Sequence, residues 1–501
     1  MRVVIVVFQD NTDIAGVKYL HAYITSKGYN SSVLILPDNE PRNINAAIDY
    51  IVRADPDVVG FSAMSYDFKR AENFAKSLKQ RFYEYPFVFG GVHATADPES
   101  CLETADIAVR GEGEETFLAL LEAVKKGNSG SITQISGIVL KDNNKIIHTP
   151  VRQPVVDLDA LPFPGHLPDN IYVVHRAGIR SIKEKAVYKR YARYEGVFLS
   201  IATSRGCPFS CNYCSNSMYK ALYGNNSVRS RSVDSVISEI KAEVGGFKNI
   251  LYVNFTDDCF LMHPAGWLDE FSRSYAGEIN IPFVARATPR HINRENISLL
   301  KKAGLRWIFM GLQTGSDRVN KEVYGRSATA QDFLEAAKLI REFRISPWYD
   351  VILDNPYETE EDKLMTIDVL LGAKRPFQLG IFSLDYFPGT ELLRRVNAEK
   401  IPVPKLGEKS YTKFESSLIN YYVRMTASLP KCLVRKLVKM RNSLLGKQLG
   451  ILFYCLTLFI EPFIYVWLVF QSNDFRFIRS FKVIKSFYRR SIAKLFFRDI
   501  A

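Results

Sequence analysis

Cysteine is scarce in this chain, seven among 501 residues, and so are histidine, with seven, and tryptophan, with four. So little sulfur excludes a disulfide-stapled scaffold. The N-terminus lacks a basic segment followed by an apolar leader, because Met1-Arg2 runs straight into a strand-like stretch. Few cysteines and no leader pattern together point to a reducing cytoplasm. His93, His263 and His291 each stand without partners at a readable spacing, so they indicate no catalytic triad. Apolar material is not lacking. At 47% hydrophobic residues the chain can bury a sizeable core, and its length suggests about two to four domains. The formal charge of +13 admits nucleic acid, an anionic membrane surface or a solvated face, and its placement must decide between them.

Three of the seven cysteines nevertheless crowd together, as Cys207, Cys211 and Cys214, just after the apolar run Val197–Ala202. Soft thiolates at Cys-x3-Cys-x2-Cys spacing on a loop select an iron–sulfur centre or zinc. Zinc closes its tetrahedron with a fourth ligand, and no Cys or His follows within the next forty residues. A three-thiolate site with one open metal position is the better reading.

That segment, with Tyr213 just before the third cysteine, resembles the radical S-adenosylmethionine (SAM) signature. The resemblance implies a [4Fe–4S] cluster on Cys207, Cys211 and Cys214, with SAM chelating the fourth iron and yielding a 5′-deoxyadenosyl radical on reductive cleavage. It requires a low-potential electron donor as partner.

Ahead of the cysteines, continuous apolar runs alternate with helical patterns. Strands are expected at residues 2–8, 32–36, 57–62, 86–91 and 107–110, which predicts an α/β fold opening with a doubly wound parallel sheet of about five strands. Such a sheet binds ligands at the carboxyl ends of its strands. The loops there hold Asn11, Ser62, Ser65, Gly90-Gly91-Val92-His93 and Gly111-Glu112. Paired glycines allow a ligand close to the backbone, and equally serve tight turns. The runs from Phe87 to Thr95 and from Val109 to Phe117 resemble the flavodoxin-like cobalamin-binding domain that precedes many radical SAM domains. Asn11, Ser62, Ser65, Gly90, Gly91, His93, Gly111 and Glu112 are its implied cobalamin contacts. Other cobalamin modules carry Asp-x-His-x-x-Gly after the first strand, whereas Asp10-Asn11-Thr12-Asp13 offers no histidine to lie beneath cobalt.

Residues 1–145 are therefore expected to form the first domain and 146–194 a linker, broken by Pro154, Pro162, Pro164 and Pro168. Over 195–420 six strand–helix units predict a partial (β/α)6 barrel with its chemistry at the carboxyl ends of the strands. Asp257-Asp258 matches the family patch that holds the SAM ammonium. Gln313 and Ser316 lie in a segment resembling the one that contacts the ribose and carboxylate, with Gln313 replacing the usual glutamate. Asp354-Asn355-Pro356 departs from the family's Gly-x-Pro turn, and Cys259 reads as a buried structural cysteine.

From about residue 421 the composition changes. Lys431, Arg435, Lys436, Lys439, Arg441 and Lys447 precede the apolar run Leu449–Phe470, and a second basic-aromatic stretch runs from Phe475 to Arg498. The apolar run is long enough to span a bilayer. Glu461-Pro462 at its middle instead predicts two short helices kinked at the proline and lying in the membrane interface, against the alternative of a helical cap on the barrel. Together these features imply a cobalamin-dependent radical SAM methyltransferase of an apolar or lipid-like small molecule, at the inner face of the cell membrane. The alternative is a radical SAM cyclase, oxidase or carbon–carbon coupling enzyme without methyl transfer. Nucleic acid is not expected as a partner. Cys101 alone cannot hold the second cluster of the methylthiolating relatives, and the basic residues gather beside apolar sequence.

Overall fold

The computed structural model describes residues 1–475, apart from residues 83–84, 128, 143–144, 225–226, 247–249 and 408–411. The second basic-aromatic stretch therefore lies almost wholly outside the described residues, as does part of the turn expected at Asp142-Asn143-Asn144.

The first sheet is built on β1 (Arg2–Val7), β2 (Asn30–Ile35), β3 (Val58–Ser62), β4 (Phe87–Gly90) and β5 (Ile107–Val109). Their order, β5-β4-β3-β1-β2, is parallel throughout and reverses at β1, which makes a doubly wound sheet with its switch point between β1 and β3. Both faces are covered. Val3, Ile5 and Val7 enter one apolar cluster, while Val4, Val6 and Phe8 enter the other, as the unbroken β-branched run demands. A fully buried side chain of this kind contributes about 1.5–3 kcal/mol.

The sheet extends beyond the expected five strands. An antiparallel hairpin of β6 (Ile138–Asp142) and β7 (Lys145–His148) adds to β5, and β8 (Ile171–His175) with β9 (Gly178–Ser181) adds beside β2. The stretch expected to be a linker thus returns two strands to the first sheet. Its prolines cluster before residue 169, and Ile171, Val173 and Val174 are fully buried.

The second sheet is the expected curled one, six parallel strands in sequence order: β10 (Phe198–Ile201), β13 (Tyr252–Phe255), β14 (Phe283–Ala287), β15 (Leu305–Gln313), β16 (Ser346–Leu353) and β17 (Gln378–Ser383). Between the first two, β11 (Ser204–Arg205) and β12 (Arg229–Ser230) form a small antiparallel pair flanking the cysteine loop. Helices such as Ala330–Glu342 and Glu360–Gly372, each started by a threonine capping box, cover the outside.

The C-terminal region is helical: Leu418–Ser428, Lys431–Lys439 and Leu444–Ser472. The last is one continuous helix that contains Pro462, not two kinked pieces. Glu461 is neutralised by a bidentate pair with Arg424, at 2.5 and 2.7 Å, which removes the charge penalty, one of the two grounds, with Pro462, for expecting a break. The helix caps the amino ends of the barrel strands. Tyr465 packs on Trp307, the Leu468 carbonyl accepts from Ser346 Oγ, and buried Asp474 accepts from the Tyr252 hydroxyl.

Candidate active site

The barrel's first strand end is fixed before its cysteines begin. Thr203 donates to Asp257 Oδ1 through its backbone N–H, at 3.1 Å, and its hydroxyl, at 2.7 Å, and Ser204 Oγ donates to the same carboxylate. His263 closes this network, with Nε2 2.8 Å from Thr203 Oγ1, Nδ1 2.8 Å from Ser230 Oγ, and its ring stacked on Trp267 at 3.6 Å. Burial pushes the His263 pKa down to about 4, so the ring is neutral and serves the network as donor and acceptor. The far side of the loop is equally held. Asn212 bonds the backbone of Val323 and Tyr324, Tyr213 packs edge-on against Tyr324 at 5.1 Å, and Arg326 donates to the Tyr213 hydroxyl and the Gly311 carbonyl.

Between these anchors lie the three cysteines, with Cys214 close enough to Cys207 and to Cys211 for their charges to interact. Cys207 is buried and Cys211 and Cys214 are half-buried, all three as free thiols. Burial raises each thiol, Cys207 to about 12 and Cys214 to about 11, and the thiols and Asp258 reinforce one another; Arg326 alone opposes the rise at Cys211 by its charge. Among the described residues no three His, Cys, Asp or Glu side chains could hold one metal ion.

The paired aspartates divide. Asp257, 2% exposed, accepts from Thr203 and Ser204 and ties the strand end together. Asp258 lies exposed on the surface beside Cys207 and Cys214, and its carboxyl is raised by the desolvation those neighbours impose and by Asp257. Gln313 ends β15 in a left-handed conformation, φ 66°, while Ser316, 1% exposed, donates to Asp362 Oδ1 and is likewise spoken for. Cys259 is buried, as expected. Sequence reading passed over two interior groups. Asp350 sits within β16 with its carboxyl pushed up to about 7 by burial, against the opposing charges of Arg286 and Arg326. Arg286 in β14 is the second, and a single charge inside an otherwise apolar strand was the available signal for both. A cavity of about 290 Å³ adjoins the altered Asp354-Asn355-Pro356 turn, and there Asn355 Nδ2, one Glu358 oxygen and the Tyr386 hydroxyl are buried without partners.

The first sheet's strand ends face this loop. Asn11 makes a tight turn, accepting from Asp13 N–H at 2.9 Å, and Ser62 ends β3 beside Gly90 of β4. A side chain on Gly90 would meet open space, whereas at Gly91, φ 93°, an added Cβ would come within 3.1 Å of the Ala63 carbonyl oxygen, so the position suits a residue without one. Ser65 Oγ and His93 Nδ1 are buried without partners at the same edge. His93 stacks on Phe68 at 3.7 Å and bonds Ser100, so it stands after β4 rather than beneath a ligand at β1. Gly111 and Glu112 are the exceptions. A Cβ on Gly111 would lie 2.4 Å from the Tyr223 hydroxyl, and the Glu112 carboxylate is taken by Arg229 and Arg205. They join the two halves of the molecule and do not line the open edge.

The Radical SAM superfamily model matches residues 201–370 and the B12 binding domain model residues 1–121. The chain is a cobalamin-binding radical SAM enzyme. It is 28% identical over 415 residues, 77% of this chain and 82% of the relative, to an uncharacterised methyltransferase of Pyrococcus horikoshii. It is 25% identical to the anaerobic magnesium-protoporphyrin IX monomethyl ester cyclase of Cereibacter sphaeroides, over 69% of this chain and only 54% of that longer protein. Its fold matches that of the radical SAM methyltransferase TsrM of Kitasatospora setae, solved with cobalamin and a [4Fe–4S] cluster, with a TM-score of 0.62 at 19% identity. The match covers 81% of this chain and 76% of that one.

A [4Fe–4S] cluster, SAM and cobalamin are thus the radical SAM enzyme's implied cofactors, and the residues present fit them. Three thiols on one loop, with Cys214 beside both Cys207 and Cys211, suit a cluster that leaves one iron for SAM. The open Gly90 and the unpartnered Ser65 and His93 groups suit a large ligand bearing amides at the switch point.

Proposed function

We propose that this enzyme transfers a methyl group to an unactivated carbon of an apolar or lipid-like small molecule, working at an anionic membrane surface with a low-potential reductant. The reading is carried by the placement of the cysteine loop, at the barrel's carboxyl ends, against the loops at the carboxyl ends of the first sheet's strands, which it meets through Arg205–Glu114 and Tyr223–Glu112. Alignment with the Pyrococcus methyltransferase over most of both chains supports methyl transfer. Bound SAM and cobalamin would supply radical generation and the methyl group. The chain's own residues hold the geometry. Cys207, Cys211 and Cys214 bind the cluster, Asp258 offers the SAM ammonium a carboxylate, and Gln313 offers a neutral acceptor. Arg286 and Asp350 set the polarity of the barrel interior.

The C-terminal helix supports the membrane part. Leu445, Leu452, Leu456, Phe459, Phe463, Trp467 and Phe470 recur every three, four or seven residues, and all are exposed; Phe463 is 71% and Phe459 63% exposed. They form one apolar stripe opposite the packed face of Ile464, Leu468 and Val469. Lys436, Lys439 and Lys447 lie near its start, so apolar area and positive charge reinforce each other at anionic headgroups.

Anaerobic purification with cobalamin, followed by iron, sulfide and cobalamin quantitation and then turnover with methyl-labelled SAM and extracted lipids, tests the proposal. Label in an apolar product is expected. SAM cleavage with unlabelled, cyclised or oxidised product would replace methyl transfer with the cyclase-like alternative.

A further inference from the structure

The loop after β5 does something its glycines did not announce. Glu114, at the start of helix Glu114–Lys125 and almost fully buried, accepts from Arg205 Nη2 at 2.7 Å. Arg205 stands two residues before Cys207. Its guanidinium also reaches Glu112, at 3.4 Å, and lies over the Tyr19 ring at 4.9 Å. Glu112 in turn pairs with Arg229, the β-bridge partner of Arg205, and accepts from Val155 N–H at 3.1 Å.

A second connection lies on the other side of the cysteines. Helix Ser215–Tyr223 starts directly after Cys214. The Tyr223 hydroxyl accepts from the Glu112 backbone N–H at 2.8 Å, and Tyr219 hydrogen-bonds Thr95, which also accepts from Gly111 N–H at 3.0 Å. The cysteine loop is thus fastened to the first domain both before Cys207 and after Cys214. In each case the fastening point is the loop after β4 or β5, whose other residues line the open edge of the first sheet.

We propose that Glu112, Glu114, Arg205, Arg229 and Tyr223 form a bracket that sets the separation between the cluster and the cobalamin. They are positioning residues, acting through the loops that hold the two groups. Charged pairs this well shielded from solvent keep their geometry far better than exposed ones, because neither partner can leave without stranding the other. The Tyr223 contact adds an orientation that charge alone would not impose.

The inference rests on the proposed two-cofactor reading, so the experiment needs one measurement that depends on it and one that does not. Full-length Arg205→Lys, Glu114→Gln and Tyr223→Phe are prepared with iron and cobalamin. Pulsed dipolar spectroscopy between the reduced cluster and cob(II)alamin should give a narrow distance in the parent. The distribution should broaden in Glu114→Gln and Tyr223→Phe and broaden less in Arg205→Lys, while iron and cobalamin contents hold. 5′-Deoxyadenosine formed per methylated product should rise several-fold in parallel. Hydrogen exchange of residues 109–114 and 203–206, measured without cofactors, should quicken in the same variants. Tyr223→Phe removes a single oxygen and keeps the ring, so it carries the test if a charge variant fails to fold. Unchanged exchange in all three variants would overturn the bracket. A parent that binds no cobalamin while exchange quickens in the variants would overturn the two-cofactor reading and leave the bracket standing as a domain joint.

Discussion

The two ends of the barrel are built by opposite means. At the carboxyl end the order comes from polar contacts: Asp257, Thr203, His263 and Ser230 before the cysteines, Arg326 and the Asn212 side chain after them. At the amino end the order comes from apolar burial under one long helix, with few polar ties such as Tyr252–Asp474 and Ser346–Leu468. Directional bonds fix a loop that must present thiols at set positions, and non-directional burial supplies stability where no atom need be placed so closely. The difference teaches that chemistry and attachment can be damaged separately in this chain.

The hardest break is at the cysteines. Cys207→Ala, Cys211→Ala or Cys214→Ala should each abolish reductive SAM cleavage and lower bound iron, because loss of one thiolate leaves a second iron uncapped. None should alter binding to anionic vesicles. Full activity in any one variant would sink the cluster assignment.

The opposite experiment strips the apolar stripe. Combining Leu452→Gln, Phe459→Gln, Phe463→Gln and Trp467→Gln should cost most of the vesicle affinity, since each side chain contributes up to about 1.5–3 kcal/mol when buried, and should leave SAM cleavage in solution intact. High salt should release part of the parent protein by screening its basic flank. A chain that ignores anionic vesicles from the start would make the helix a cap only, and the lipid-substrate reading would fall with it.

A finer division falls within the carboxyl end. Asp258→Asn should weaken SAM binding more than it disturbs the cluster's absorption. Asp257→Asn should do the reverse and lower thermal stability, because it disrupts the Thr203 and Ser204 bonds; a carboxylate hydrogen bond of this kind is worth about 1.5–3 kcal/mol. Equal effects of the two substitutions on SAM binding would restore the symmetric role expected from the sequence.

The smallest effect is one of pH. His263 and His93 both have pKa values pushed down to about 4 from an ordinary 6.5. The unfolded chain therefore binds protons first, and the stability these neutral rings contribute is present above pH 6.5 and lost as pH falls toward 4. Iron release from the loaded enzyme should rise through that window, and His263→Gln should shift its profile. A flat profile between those limits would remove His263 from the support of the loop.

Much of the fold was legible in the sequence. β1 to β5 and the six barrel strands are marked by largely apolar runs, in the barrel interrupted by single polar residues such as Arg286 and Asp350, because a parallel strand covered on both faces shows little alternation. The cysteine loop was legible from spacing alone. β8 and β9 were hidden by the prolines before them, which mark a connector correctly up to residue 168 and carry no information about the strands beyond it. Asp257 and Asp258 are neighbours in sequence and opposites in space, a division that depends on which way each side chain leaves the strand end. Glu112 was unreadable for another reason, since its partners Arg205 and Arg229 lie about a hundred residues away. The continuity of the helix through Pro462 required knowing that Arg424 would meet Glu461.

The helix beneath the barrel also constrains traffic. Its packed face closes the amino end at Trp307, Ser346 and Tyr252, so the cysteine loop lies at the opposite end of the barrel strands. An enzyme lying on a bilayer by that stripe would work at a standoff of roughly the length of β15, nine residues and about 30 Å. A lipid acceptor would need its reacting carbon on a head or chain that extends well clear of the surface, or would need to be lifted out and handed over. Reach, more than greasiness, would then select the substrate.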